Sequence, residues 1–173
     1  MENCIFCKIA AGEIPSCKVY ESENVIAFLD VNPIEKGHVL VVPKRHWTSL
    51  VDVPVKDSSD VAVSEELAYV VRVVAKAVTS TFATGANLLQ CSGESAGQTV
   101  NHLHIHVIPR TGGAAQPAFV SGAGRYADDA ERDAYAEKIR TSVKKILALS
   151  KKLKKNIIKN IFPHLSNSRI SDI

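Results

Sequence analysis

Asn101-His-Leu-His-Ile-His-Val-Ile-Pro-Arg110 holds three of the chain's six histidines. His102, His104 and His106 alternate with Leu103, Ile105 and Val107. Side chains of a β-strand alternate between its faces, so this spacing predicts a strand with three imidazoles on one side and apolar partners in a core on the other. A half-buried strand can carry one polar histidine without purpose. Three in strict alternation make a site for an anion or a metal, because a near-neutral imidazole serves as nucleophile, hydrogen-bond donor or ligand.

Working outward, Ser92-Gly-Glu-Ser-Ala-Gly-Gln98 reads as a tight glycine-rich loop leading into that strand. Its backbone N–H groups could cradle an anion, with Gln98 and Thr99 adding donors; the plainer reading is a hairpin turn. Gly37-His38 and Pro43-Lys-Arg-His46 bring in two more histidines, and His38 alone would pass for a packed strand residue. Cys4-Ile-Phe-Cys7 has the spacing of half a tetrahedral zinc site. Cys17 and Cys91 are isolated, so a full set would have to recruit distant histidines. Asp30, ending Phe28-Leu-Asp30, is either a turn aspartate before Asn32-Pro33 or a carboxylate that accepts hydrogen bonds from a ribose diol.

The rest of the chain gives these segments a scaffold. Residues 18–21 and 25–30 predict a hairpin, residues 38–42 a strand closed by Pro43, and residues 86–91 another strand. Residues 58–82 carry Val61, Ala68, Val71, Ala75, Val78 and Phe82 at helical spacing, with Asp57 or Ser58 as cap. Residues 112–124, rich in glycine, predict a loop, and residues 128–160 a long helix. The pattern is α+β: a mostly antiparallel, five-stranded sheet with helices on one face. A length of 173 residues fits one domain with a real core. No apolar run nears the roughly 20 residues of a membrane span, and the N-terminus lacks a secretory pattern. The expectation is a cytoplasmic protein, with a nuclear fraction left open, in which Cys4 and Cys7 are more readily ligands than a disulfide.

The net charge of +3 hides an asymmetry: residues 1–137 carry −6 and residues 138–173 carry +9. The division expected is therefore a folded domain over 1–137 and a basic helical tail over 138–173. In that tail Lys144, Lys145, Lys151, Lys152, Lys154, Lys155 and Lys159 surround a stripe of Ile146, Leu149, Leu153, Ile157 and Ile161. Such a helix either packs on the body or meets an anionic membrane surface or nucleic acid.

Cys4-Ile-Phe-Cys-Lys-Ile, Gly12-Glu-Ile-Pro15, Val19-Tyr-Glu21, Ala27-Phe-Leu-Asp30, Gly37-His-Val-Leu-Val-Val-Pro-Lys44, Ala96-Gly-Gln98 and His102-x-His-x-His106 together resemble the histidine triad (HIT) superfamily, and within it the zinc-type Hint branch. The resemblance covers about residues 3–111. It implies the HIT-like fold, a homodimer, and hydrolysis of purine nucleoside phosphoramidates (AMP-amidates or aminoacyl adenylates) through a nucleotidyl-histidine. It also implies roles for residues. His104 would be the nucleophile, His106 would bind phosphate oxygens, and His38 would orient the cluster. Gln98, beside Gly97, would contact phosphate, and Thr99, where the family usually has Ser, would hydrogen-bond the leaving amine. Asp30 would hold the ribose, with Phe28 and Val31 near the base. Cys4, Cys7, His46 and His102 would hold a structural zinc. Donors of this kind can offset phosphoryl charge, so the reading requires no Mg²⁺. Cys91 stands where the family often has Asn, which bears on base preference. A Fhit-like dinucleoside polyphosphate hydrolase and a nucleotide-binding scaffold are the rival readings.

Overall fold

A computed structural model describes residues 3–56, 58–112 and 123–161. A short helix α1 (Ile5–Ala11) precedes strands β1 (Lys18–Glu21), β2 (Val25–Leu29) and β3 (Val39–Pro43). Helix α2 (Ser58–Thr81), β4 (Gly85–Leu89), β5 (Ile105–Arg110) and the long helix α3 (Asp129–Ile161) follow. The strands form one antiparallel sheet in the order β1-β2-β3-β5-β4. The expected α+β fold and five-stranded sheet are present.

The two faces of the sheet are sorted by alternation. Val25, Ala27, Leu29, Val39 and Val41 point into a core shared with α2 and α3. Ile26, Phe28, Leu40 and Val42 point the other way and meet Phe6 and Ile9 of α1. The expectation of helices on one face only is corrected here. Seven residues are too few to show a helical period, so α1 was hidden inside the Cys-x-x-Cys segment. Because β2 and β3 are buried on both faces, they read as continuous apolar runs instead of alternating ones.

Helix α2 lies where expected, but its core stripe is shifted. Val63, Leu67, Val70, Val74 and Ala77 are buried along with Val71 and Val78, whereas Ala68 is exposed and Val61 only half-buried. A valine-rich helix offers several overlapping stripes, and only packing selects among them. Ser58 is its first residue; the alternative cap Asp57 lies outside the described residues, as does most of the 112–124 loop.

Helix α3 runs unbroken across the boundary expected at 137/138. Its first half packs through Ala136, Ile139 and Val143. Ile146 is half-buried, but Leu149 and Leu153 are each 60% exposed, so the described apolar stripe leaves the body after about two turns. The side chains of Lys154, Lys159, Ile157 and Ile161 lie outside the described residues. Among the described residues no helix is long and apolar enough to cross a membrane.

Candidate active site

The histidine segment departs from a regular strand in a way that separates its three rings. Strand β5 begins only at Ile105. Before it the backbone turns: the His102 N–H donates to the Val100 carbonyl (2.8 Å) and the Leu103 N–H to the Trp47 carbonyl (2.6 Å). Leu103 and Val107 are buried in the main core as expected, with Ile105 packed beside them. The three imidazoles keep to one side, since Phe6 of α1 meets both His102 and His104, but they divide between two groups: His106 pairs with Leu40 in the sheet, and the irregular residues 101–104 carry His102 to Cys4 and the Pro43 carbonyl.

Two polar clusters result. The first is His38, His104 and His106. Nδ1 of His38 accepts the Ile34 N–H (3.2 Å), so its Nε2 carries the hydrogen and donates to Nδ1 of His106 (2.9 Å). His106 is thereby left with an N–H on Nε2. Nδ1–H of His104 donates to the carbonyl of His102 (2.7 Å), which leaves the Nε2 lone pair unused. The His104 and His106 rings stand edge to face, 4.9 Å apart. Burial, with neighbouring imidazoles adding, pushes His38 down to about 3 and His106 to about 4, so both are neutral near pH 7. The cluster thus sets Nε2 of His104 beside the N–H donor of His106, the pairing that attack on a phosphoryl group requires.

These rings line a cavity of about 890 Å³. Its floor comes from cross-strand neighbours on one face: Phe28 is paired with Leu40, and Leu40 with His106. Phe6, Ile9 and Ile14 form an apolar wall, and Phe6 meets Phe28 edge to face at 5.7 Å. Asp30, Val31, Gly97 and Thr99 also line it, as does Cys91, the departure from the family pattern. Val31 is 79% exposed at the rim. Asp30 is a turn aspartate that also lines the cavity. One carboxylate oxygen accepts the Asn32 N–H (2.8 Å) as a turn aspartate does, while the carboxylate also faces Nδ1 of His38 at 3.5 Å inside the cavity wall. Burial raises its pKa.

Gln98 departs from its expected role. It is buried, and its amide is spent inside the loop. Oε1 accepts the Gly93 N–H (2.8 Å), while Nε2 donates to the carbonyls of Thr48 (2.6 Å) and Val100 (2.9 Å). It braces the glycine-rich loop and does not line the cavity. The loop is one 3₁₀ turn at Glu94–Ala96, closed by Gly97 at φ +85°.

The second cluster is Cys4, Cys7, His46 and His102, whose ligand atoms lie within 4.8 Å of one another. Nε2–H of His102 donates to the Pro43 carbonyl (2.8 Å), so its Nδ1 presents a lone pair to the group. That nitrogen lies 3.3 Å from Sγ of Cys4, 3.5 Å from Sγ of Cys7 and 3.1 Å from Nδ1 of His46. Sγ of Cys7 lies 3.3 Å from Nδ1 of His46. Tetrahedral zinc, with bonds of about 2.0–2.1 Å to nitrogen and 2.3 Å to sulfur, places its ligand atoms roughly 3.3–3.8 Å apart. The donor set and its spacing fit such an ion. Without one, burial and the Cys4 thiol push Cys7 up to about 11. The carboxylate–imidazole–imidazole contact of Asp30, His38 and His106 is a second group of potential ligands. Its His38 nitrogens are already committed to Ile34 and His106.

Sequence reading missed Ser16, Cys17 and Arg132 in the cavity lining. Arg132 comes from the first turn of α3, and no sequence spacing links it to the rest.

Comparison with known proteins agrees with this geometry. Residues 11–113 match the family model described as the HIT domain. "Protein hit" of Bacillus subtilis is 47% identical over 112 residues, spanning 64% of this chain and 73% of that protein. The adenosine 5'-monophosphoramidase of Candida albicans is 40% identical over 109 residues, covering 62% and 70% of the two chains. A crystal structure of a zinc-bound histidine triad family protein from Mycobacterium smegmatis superposes with a TM-score of 0.72 at 33% identity, over 86% of this chain and 98% of that one. With its matched residues spanning more than half its length and His38, His104 and His106 gathered in one cavity, the chain belongs to the histidine triad family.

Proposed function

We propose that the protein is a nucleotide hydrolase that cleaves purine nucleoside phosphoramidates, AMP-amidates or aminoacyl adenylates. The observation that carries this reading is the hydrogen-bond chain Ile34–His38–His106 beside the His102-anchored His104. Relatives named adenosine 5'-monophosphoramidase, at 39–40% identity, support it.

In this mechanism Nε2 of His104 attacks the α-phosphorus, a P–N bond forms to the ring, and the bond to the leaving group breaks: an amine departs as it takes up a proton relayed from solvent, and the carboxylate of an aminoacyl adenylate departs as the anion. The N–H of His106 and the backbone of the Gly97 loop offset charge on the phosphoryl oxygens, and the Thr99 hydroxyl hydrogen-bonds the departing amine. Water then cleaves the nucleotidyl-histidine, releasing the nucleotide and restoring neutral His104. Asp30 holds the ribose diol, and the base lies between Phe28, Val31 and the apolar wall. Cys4, Cys7, His46 and His102 would hold a structural zinc, with no open position for a substrate. Zinc there would supply a cross-link. We further propose a homodimer formed through the free edge of β4, where Leu88 is 56% exposed.

The test is hydrolysis of adenosine 5'-monophosphoramidate beside a dinucleoside triphosphate, by wild type and His104→Ala. Release of AMP from the amidate, reduced about a thousandfold or more in the variant, is the expected result. A preference for the dinucleoside triphosphate would replace the phosphoramidase reading with the Fhit-like one. Tight nucleotide binding without turnover would favour a scaffold.

A further inference from the structure

Beyond Phe28 and Val31 the cavity does not end on apolar surface. Its lining also includes Ser16, Cys17 and Arg132, and Arg132 borders a neighbouring depression together with Val31. The guanidinium of Arg132 is held in place from several sides. Its Nε–H donates to Sγ of Cys17 (2.9 Å), Nη1 pairs with Asp129 (3.0 Å), and Nη2 lies 3.8 Å from Asp133. Both aspartates are mostly solvent-exposed, and neither lines the cavity. Cys17 Sγ, besides accepting from Arg132, is 3.2 Å from an Asp133 carboxylate oxygen. A guanidinium has five N–H donors, so donors remain after these contacts. Ser16 differs: its Oγ is buried from solvent and has no hydrogen-bond partner within the protein. Because that oxygen is closed to solvent even from the cavity side, Ser16 shapes the wall there without offering a ligand contact.

Resting on the nucleotide-hydrolase reading above, we propose that Arg132 reads the edge of the base and selects guanine over adenine. The argument is one of donors and acceptors. Asp30 and the histidines fix the ribose and phosphate ends, so the base must extend along the apolar wall toward Arg132. Guanine presents O6 and N7 as adjacent acceptors, the pair to which an arginine fork donates twice. Adenine presents N7 beside the N6 amino group, which points a donor at a donor. The one sulfur acceptor at this end is already engaged by Arg132 itself. Fixing the guanidinium before the ligand arrives lowers the entropy lost on recognition.

The experiment measures kcat/KM for guanosine and adenosine 5'-monophosphoramidates, and calorimetric Kd values for GMP and AMP, on wild type, Arg132→Leu and Ser16→Ala. Wild type should favour guanine by about tenfold in both measurements, and Arg132→Leu should bring the ratio to about one. Ser16→Ala, which leaves the ion pairs of α3 in place and removes an oxygen the ligand does not reach, should leave the ratio at its wild-type value. A role limited to bracing Cys17 would weaken both nucleotides equally and leave the ratio unchanged, which would overturn the proposal. So would wild-type ratios near one. Guanine-selective binding without turnover would retain base reading while removing the phosphoramidase reading, so the two failures are separable.

Discussion

His38 shows how much of the site hangs on one ring. It is 1% exposed and ties the Ile34 N–H to His106. Replacing it with Ala strands two buried polar groups, at about 1–3 kcal/mol each. Its protonation is equally consequential. An unfolded chain takes up imidazole protons near pH 6.5, whereas the fold holds His38 at about 3 and His106 at about 4. Below pH 6.5 the unfolded state therefore binds more protons, so stability falls as pH drops from about 6.5 toward 4. Above 6.5 both states are neutral at these positions and the contribution is complete and flat. Urea midpoints between pH 4 and 8 should trace that break, and His38→Asn should make the acid limb shallower. An acid limb identical in the variant would show that His38 carries none of it.

The same scale shows what the sequence made legible. His38, His104 and His106, Asp30, Phe28, Gly97, Thr99 and Val31 are brought to one cavity, and Cys4, Cys7, His46 and His102 to one group. Each belongs to a motif whose spacing is local. Gln98 was misread because an amide suited to phosphate is equally suited to loop carbonyls, and only burial decides between them. Arg132 lies 115 residues from Cys17 along the chain, and contact across that distance leaves no local pattern.

Among the elements, the link between β2 and β3 carries more than its length suggests. Gly37 sits at φ +87°, and a Cβ there would come within 2.5 Å of the Phe82 ring. Its N–H donates to the Tyr126 hydroxyl (2.8 Å), and the Gly124 N–H donates to the Pro33 carbonyl (3.0 Å). This link also supplies the Ile34 N–H to His38. Gly37→Ala should cost about 2–4 kcal/mol, from left-handed strain plus overpacking, and reduce kcat as well. Thermal melting beside steady-state assay checks this; an unchanged melting temperature would refute the steric argument. Strand β5 carries the lesson on boundaries. Period-two alternation over residues 102–107 was real, yet the ladder starts at Ile105, because residues 102 and 103 bond to residues 100 and 47 instead of to a neighbouring strand. Alternation records which side a residue faces, and it survives where pairing does not.

For the whole molecule, the sheet order leaves β4 at one edge and β1 at the other. Helix α3 packs along β1, so β4 is the edge open to a second copy. Leu88→Lys should then convert a dimer to a monomer in light scattering while leaving the melting profile of the protomer nearly intact. A monomeric wild type would end that proposal. The fold class was readable from the order of its patterns, since strands separated by short turns admit few topologies. The register of α2 was not, because it depends on which valines the finished sheet accepts.

Helix α1 has seven residues, fewer than a helix needs to persist unaided in water, and it has no side-chain cap at Cys4. Yet it supplies Ile5, Phe6 and Ile9 to the cavity, and Cys4 and Cys7 tie it to the rest of the chain. With zinc in the four-ligand group, the two sites become thermodynamically reciprocal: whatever factor the ion adds to nucleotide affinity, the nucleotide returns to the ion. Chelation should weaken AMP binding, and saturating AMP should slow zinc loss to a chelator. The two coupling factors, measured separately, should agree.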